Sequence, residues 1–465
     1  MYRKPGFGDQ PNWIREYTSS LEFDRKIYSA VVLTALAHLF HLWEKGLIPE
    51  EAGSALKCLV EALDKEDEVL SGEFEDVHEA LEAWLLDKAG KHAGWLAYGK
   101  SRNDQVSTAL RLALRKEIIR LLWEINRLRG TLLGKAERNL NVLIPAFTHL
   151  RPAQPSTVAH YLLHVEREVS VHWRTLWYLL REVIDLSPLG SGPVAGSSVP
   201  LDRGRLAELL GFSGVEENTI FATGSRTFAS LVLGSIASLA VALSRVAEDL
   251  IVWSTSQFSI VRLPDRHVST SSIMPQKRNP VTLEIIRAVA GDILGSLTSF
   301  LTITKGIPSG YNLDLQEANN HIFGPLEKII NAIKVMADLI DDIEFREVRD
   351  IQLLAQDVAE RLVKERGIAY REAHSLLAKA LRENGWDLKK AVESLDMELP
   401  GFEEAINSRG RGGPNPERMS KEISSRRKLL RDDIGRLTEF ESLKLSAERE
   451  LVERVRRTLE RKHIE

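Results

Sequence analysis

Along most of the chain apolar residues recur every three or four positions, the pattern of helices that bury one face. The clearest run covers residues 104–142 without a proline, and Leu110, Leu114, Ile118, Leu121, Leu122, Ile125 and Leu128 fall on one side of it. Asn103 is placed to cap its start and Pro145 lies just past its end, so one long helix is predicted there. The same reading predicts long helices at 156–186, with Ser156 as cap, and at 226–258, 281–305 and 314–345. Helices of ordinary length are expected before them, at 21–45, 50–70 and 76–89. After Val348 the helices shorten again, to 352–365, 370–383 and 388–395, followed by a Gly-Pro-rich break at 408–416 and a charged helix at 443–462. Strand patterns are scarce, and only the irregular segment 188–200 suggests a short hairpin.

These elements predict an all-α chain with an N-terminal helical domain over 1–103, a central long-helix bundle over 104–347 and a smaller helical domain over 348–465. Helices of such length draw their stability from packing, and their faces exceed what one chain can cover, which points to a homo-oligomer with a shared helical core. The uncharged stretch 227–244 imitates a membrane span. It is short for that role and lacks an aromatic belt, and its Gly, Ala and Ser favour close helix contacts, so a buried helix and no membrane contact are expected. With 62 Lys and Arg against 66 Asp and Glu, the net charge of −4 gives no basic surplus for nucleic acid. The single cysteine, Cys58, excludes an intrachain disulfide and reads as a small core residue. Residues 1–13 contain no apolar h-region, so a cytoplasmic location is expected.

If the helices are scaffold, chemistry belongs in the polar connections at their ends. The most heavily functionalised is 269–280, where Ser271, Ser272, Lys277, Arg278 and Asn279 lie between two apolar helices. A serine removes a weakly acidic C–H proton only if backbone N–H groups or a cation stabilise its alkoxide. Lys277 could supply that charge or hold the dianionic carboxylate that forms; the structural alternative makes Asn279 a helix cap ahead of Pro280. At 99–105, Ser101, Arg102 and Asn103 stand at a helix start suited to an anion, or serve as a cap with Asp104 in the first turn. At 148–155, Thr148, His149, Arg151 and Gln154 come together; His149 is either a candidate general acid or a hydrogen-bonded structural histidine. The glycine-rich 188–198 lacks a P-loop ending and reads as a weak phosphate cradle or a mobile wall. At 305–317, Tyr311 and Gln316 could orient a polar ligand, or Pro308 to Gly310 forms a turn with Asp314 as cap. His160 and His164 share a helical face without the glutamate of a HExxH site, so packing or hydrogen bonding is expected rather than a metal.

Taken in order, these islands resemble the fumarase/aspartase superfamily and, within it, most closely the argininosuccinate lyases. SSIMPQKRNP at 271–280 is similar to the superfamily signature, and SRNDQV at 101–106 and THLRPAQP at 148–155 are similar to two further motifs. PLGSG at 188–192, YNLDLQE at 311–317 and the AxxLVxxxGxxxREAH pattern at 359–374 extend the likeness over essentially the whole chain. The resemblance implies a homotetramer built on a shared central bundle, with each active site assembled from three subunits. It further implies elimination of argininosuccinate to arginine and fumarate without metal or organic cofactor. Carried onto this sequence, it makes Ser271 the base, Lys277 and Asn279 the stabilisers of the dianion and His149 the candidate acid for the departing guanidine nitrogen. Ser101, Asn103, Thr148, Tyr311 and Gln316 fall on substrate-binding positions, and Arg102, Arg151, Gln154 and Arg226 complete the expected pocket. Closure of the 269–280 loop over bound carboxylates would exclude water.

The chain departs from the family at Val31 and Ala35, where an acid and a serine are usual, and at Tyr98, Thr227 and Thr270. Asn319 stands where the family has a lysine, and Arg151 where it has glutamine. The two suggest that a carboxylate-binding charge has moved from position 319 to 151. Two alternatives stay open: another fumarate-releasing lyase of the adenylosuccinate type, and a non-catalytic helical relative that kept the fold.

Overall fold

The structure, a computed structural model, describes residues 11–462, so most of the N-terminal segment on which the location was judged lies outside the described residues. Helices α1 (Tyr28–Glu44), α2 (Val77–Ala89) and α3 (Arg102–Arg138) lead into a hairpin of β1 (Leu143–Thr148) and β2 (Arg151–Thr157). There follow α4 (Val158–Leu179), α5 (Thr227–Trp253), the two-residue strands β3 (Ser269–Thr270) and β4 (Arg278–Asn279), and α6 (Val281–Thr304). The chain ends with α7 (Asp314–Asn319), α8 (Phe323–Asp342), a run of shorter helices and α9 (Pro416–Lys462).

The long helices run alternately up and down, which gives the bundle two ends. At the first end α3 begins, and the Asn103 carboxamide donates to the Pro193 carbonyl at 2.9 Å. Near it α5 begins, where Ser107 Oγ donates to the Ala222 carbonyl at 2.7 Å. At the second end α3 runs into the β1–β2 hairpin, whose Phe147 ring lies 6.0 Å from Trp253 at the end of α5. The 269–280 connection leaves this second end through α6, and α8 returns to it, where Val261 pairs with Phe345. At 37 residues, α3 alone separates the two ends by about 55 Å.

The predicted stripe from Leu110 to Leu128 is buried at 1 % exposure or less, in one core shared by α1, α3, α4, α5, α8 and α9. Cys58 is partly buried against the same core. A second apolar cluster joins Leu353, Leu362, Leu377, Val392 and Phe402. Residues expected as one C-terminal unit therefore divide between two cores, since Met419, Ile423, Leu437 and Val455 of α9 pack into the first.

Several boundaries differ from the sequence reading. Ser101, not Asn103, caps α3, in a capping box with Asp104, and the helix starts earlier. Residues 151–157 are a strand, which takes the polar connection and the first two residues of the helix expected from Ser156, because Pro152 and Pro155 favour extended backbone, and Thr157 replaces Ser156 as the cap. The short hairpin lies here and not in 188–200, which is held in turns. The helix expected over 314–345 breaks after Asn319 and restarts at Phe323. Pro325 then falls in a first turn, where its missing N–H costs nothing. Asn279 is not a cap but lies in β4, opposite Ser269, and the 443–462 helix is the end of the much longer α9.

Arg129 ties three long helices together. Its guanidinium meets Glu166 of α4 at 2.9 Å and Asp433 of α9 at 2.8 Å, while Arg426 reaches the other Glu166 oxygen at 2.6 Å. Buried charges persist only when each is answered, so removing Glu166 leaves Arg129 without a main partner in the core. Glu166→Ala is expected to destabilise the fold by about 3–5 kcal/mol, read as a lower midpoint in thermal or denaturant unfolding; a midpoint unchanged from wild type would refute the brace.

Candidate active site

The second end carries the groups with the most reactive chemistry. β1 and β2 are joined by a two-residue turn in which His149 and Leu150 both adopt positive φ, +53° and +57°. Such turns usually hold Asn and Gly, and a residue with a Cβ is strained there by roughly 1–2 kcal/mol. The turn places the imidazole of His149 at an exposed tip beside Leu150, which is 70 % exposed, with Thr148 and Arg151 flanking them in the open. Gln154 is turned away from this tip, its amide donating to Gln356 at 2.6 Å.

The 269–280 loop is pinned at its base and open at its crest. Arg278 donates to the Leu263 carbonyl at 2.9 Å and pairs with Asp265 at 2.7 Å. His267 bonds Thr282 at 3.2 Å and Asp338 of α8 at 2.9 Å. Within the crest, Ser271 Oγ accepts the backbone N–H groups of Ile273 at 3.3 Å and Met274 at 3.2 Å. Two amides aimed at one hydroxyl oxygen stabilise negative charge on it, as an oxyanion site does. Lys277 is exposed, and Asn279 is half-buried in β4. Thr270 sits in β3 opposite Arg278, an extended conformation that needs no glycine.

The first end gathers the remaining expected residues. Ser101 and Asn103 open α3, and Arg102 pairs with Asp76 at 2.9 Å. Arg226 is buried and donates through Nη1 to the Thr223 and Ser225 carbonyls, both at 3.1 Å. Its Nε and Nη2 are buried with no hydrogen-bond partner. Burial holds this guanidinium down to about 10, and it lines an open cleft of 690 Å³ with Ser225, Thr227, Ser309 and Gly310. Burial pushes the Tyr311 phenol up, against the pull of Arg226. A Cβ on Gly224 would lie 2.7 Å from Gly310, so a glycine is needed where the Tyr311 segment crosses the start of α5. Gln316 donates to the Thr18 carbonyl at 2.8 Å. Among the departures, Val31 and Ala35 are fully buried, Tyr98 is 42 % exposed, and Asn319 is buried with an unpartnered carbonyl oxygen.

The structure therefore brings Thr148, His149, Arg151, Ser271, Lys277 and Asn279 to one end and Ser101, Arg102, Asn103, Arg226, Tyr311 and Gln316 to the other. Within one chain Ser101 stands at the start of α3 and His149 on the hairpin beyond its far end, with a helix about 55 Å long between them, so no single chain holds both in one pocket. Gln154, Gln316 and Arg102 already have partners inside the chain. His160, singled out together with His164, bonds Ser156 and the Gly412 carbonyl, and the His164 ring lies 6.4 Å from that of Tyr161. Sequence reasoning missed the part played by Asp104, whose carboxylate accepts the N–H groups of Gly190 and Gly192 at 3.0 Å each. The glycine-rich 188–198 segment and the SRND motif were both visible, but nothing in their spacing joins them.

Comparison with known proteins gives the family. A family model described as lyase matches residues 8–295. The chain is 39 % identical over 445 residues to the argininosuccinate lyase of Sulfolobus acidocaldarius, covering 95 % of each. It is 40 % identical over 454 residues to that of Pyrococcus furiosus, covering 95 % of this chain and 97 % of the relative. Among solved structures, EDDS lyase in complex with formate superposes with a TM-score of 0.80 at 24 % identity, over 97 % of this chain and 96 % of that one. The class II fumarase of Schistosoma mansoni does so at 0.72 and 18 %, over 83 % and 91 %. The fold, the ordered motifs and these likenesses together make the chain a lyase, a member of the argininosuccinate lyase family within the fumarase/aspartase superfamily.

Proposed function

We propose that the protein cleaves argininosuccinate to arginine and fumarate, as a soluble cytoplasmic homotetramer whose active sites are shared between subunits. The observation that carries the reaction class is Ser271, whose Oγ receives two backbone N–H bonds on an open loop. Once its hydroxyl proton has passed to solvent, the Ser271 alkoxide, so stabilised, takes the proton from the succinyl carbon next to the carboxylate. The released electron pair moves into that carboxylate, and Lys277 and Asn279 meet the dianion. When the C–N bond breaks, the pair returns to form the alkene of fumarate, and His149 gives its proton to the departing guanidine nitrogen. The unpartnered Nε and Nη2 of Arg226, with Tyr311, Ser101 and Asn103, bind the rest of the substrate.

Shared sites follow from the opposite ends: the base and acid of some subunits must enter the binding end of another. The outer faces of α5 and α6 support the tetramer, since Leu231, Val241, Ile285, Leu294 and Leu301 are 40–64 % exposed. The segments Leu21–Glu44, Thr227–Trp253 and Val281–Thr304 are long and apolar enough to cross a membrane, and the last is only 22 % buried in its most apolar window. In this family the bare face belongs against copies of the chain, as in a shared bundle.

Purified protein is expected to release fumarate from argininosuccinate, followed by ultraviolet absorbance, and Ser271→Ala to lower kcat by about 10²–10⁴-fold. No fumarate from a folded, oligomeric wild type would sink this reading and send the search to adenylosuccinate. Mixing Ser271→Ala with Asn103→Ala after partial dissociation should restore measurable activity, because some sites then combine an intact loop with an intact α3 start. Reassembled tetramers that stay as inactive as either parent would count against shared sites.

The charge-exchange idea now has a geometric condition. Arg151 lies at the hairpin end, and Asn319 follows the Tyr311 segment at the other, so the two meet only between subunits. Arg151→Gln should raise KM at least tenfold, and adding Asn319→Lys should recover much of the loss; a double variant no better than Arg151→Gln alone disposes of the exchange.

A further inference from the structure

The capping box at the start of α3 needs only one oxygen of Asp104. Oδ1 accepts the Ser101 N–H at 3.0 Å and completes it. The second oxygen serves another purpose, since Oδ2 receives the N–H groups of both Gly190 and Gly192. Two closely spaced amides converging on one point form a concavity of the kind that binds anions, and here the anion is the chain's own carboxylate. Gly192, at φ +59°, has no room for a side chain, because a Cβ would lie 2.3 Å from the Gly196 carbonyl oxygen. On the outer side, Arg203 fixes the same loop through the Ser191 hydroxyl at 2.9 Å and the Leu189 carbonyl at 3.3 Å. Asn103, next to Asp104, then donates to the Pro193 carbonyl, so the flip and direction of its carboxamide depend on where the loop sits.

The carboxylate is fully buried, and burial raises its pKa to about 6 against the pull of the three amides. At neutral pH the ionised form holds the loop. The charged groups facing it are Lys100 and Arg203. Lys100 is itself buried with no hydrogen-bond partner, and burial brings its ammonium down to about 8.

We infer that Asp104 is a positioning residue for substrate binding: its carboxylate fastens the 190–193 turn to the first turn of α3 and thereby orients Asn103 and Ser101 in the pocket. The inference rests on the proposed active site, because it is that reading which gives Asn103 and Ser101 a substrate. Asp104 touches no reacting atom, and the base Ser271 lies at the other end of its own chain. Its loss therefore falls on binding and not on proton transfer.

Asp104→Asn keeps the shape but turns an amide into the two glycine N–H groups or leaves them a weaker acceptor. The expected result is a tenfold or greater rise in KM with kcat within threefold of wild type. Amide exchange of residues 188–198 should quicken, with residues 110–138 of α3 as protected as before. Equal losses in kcat and KM with a lowered unfolding midpoint would mark a purely structural cap and overturn the inference, as would an exchange pattern identical to wild type. Gly192→Ala pushes the loop away without touching the carboxylate and should reproduce the KM rise, with little added in the double variant; an unchanged KM there also overturns it, even if Asp104→Asn fails to assemble. Because exchange is read without substrate, absence of argininosuccinate cleavage by the wild type would defeat the proposed reaction while leaving the fastening of the loop separately measurable.

Discussion

The rest of the structure depends on the rigid length of α3. A helix of 37 residues fixes its ends about 55 Å apart, and no loop in the chain can undo that separation. Residues expected to act on one molecule are thereby divided, with the proposed binding groups where α3 begins and the proposed base and acid where it ends. A pocket containing both must draw them from different copies. The exposed apolar faces of α5 and α6 fit the proposed assembly, in which the copies that complete the pocket need a surface on which to meet. Scaffold length, bare faces and a split site are three aspects of one constraint.

The two ends are built differently. At the α3 start, charges are buried and fastened: Asp104 holds the glycine turn, Arg102 meets Asp76, and Arg226 keeps free N–H groups inside a cleft. Such a site suits recognition, because buried donors left unpaired are strongly disfavoured until a ligand arrives. At the other end, Ser271, Lys277 and His149 stand on exposed turns whose bases alone are braced, by Arg278 and His267 for the loop and by the paired strands for the hairpin. In the proposed tetramer, exposure there lets these groups enter another subunit.

Much of this was legible in the sequence. The periodic stripe of α3 fell into the core as expected, and the motifs located nearly every polar island. What escaped were features that depend on contacts between distant segments. Spacing alone could not choose between Ser101 and Asn103 as the cap of α3, because both are good capping residues and only the reciprocal bond to Asp104 decides. The hairpin was hidden because Arg151 to Thr157 has no apolar alternation and two prolines; it is a strand through its pairing with β1. Asp104 looked like a first-turn helix acid, and its partners lie more than eighty residues away. Asn319 read as a lost cation, but the sequence could not say that its carboxamide is buried.

The strain at His149 and Leu150 fits this division of labour. A two-residue turn with two side chains in the left-handed region is disfavoured in an isolated chain, yet here the turn sits at an exposed tip above the two paired strands. The pairing of β1 with β2 fixes the register on both sides, from Thr148 opposite Arg151 back to Leu143 opposite Thr157, and so imposes the conformation from below. A glycine at position 150 would relax the turn, but it would also remove the exposed Leu150 side chain and widen the orientations open to His149. For the proposed proton donor, which in that assembly enters a pocket built by another subunit, a stiff and slightly strained presentation serves better than a relaxed one. The local cost is of the same order as the entropy that a flexible tip would lose on docking.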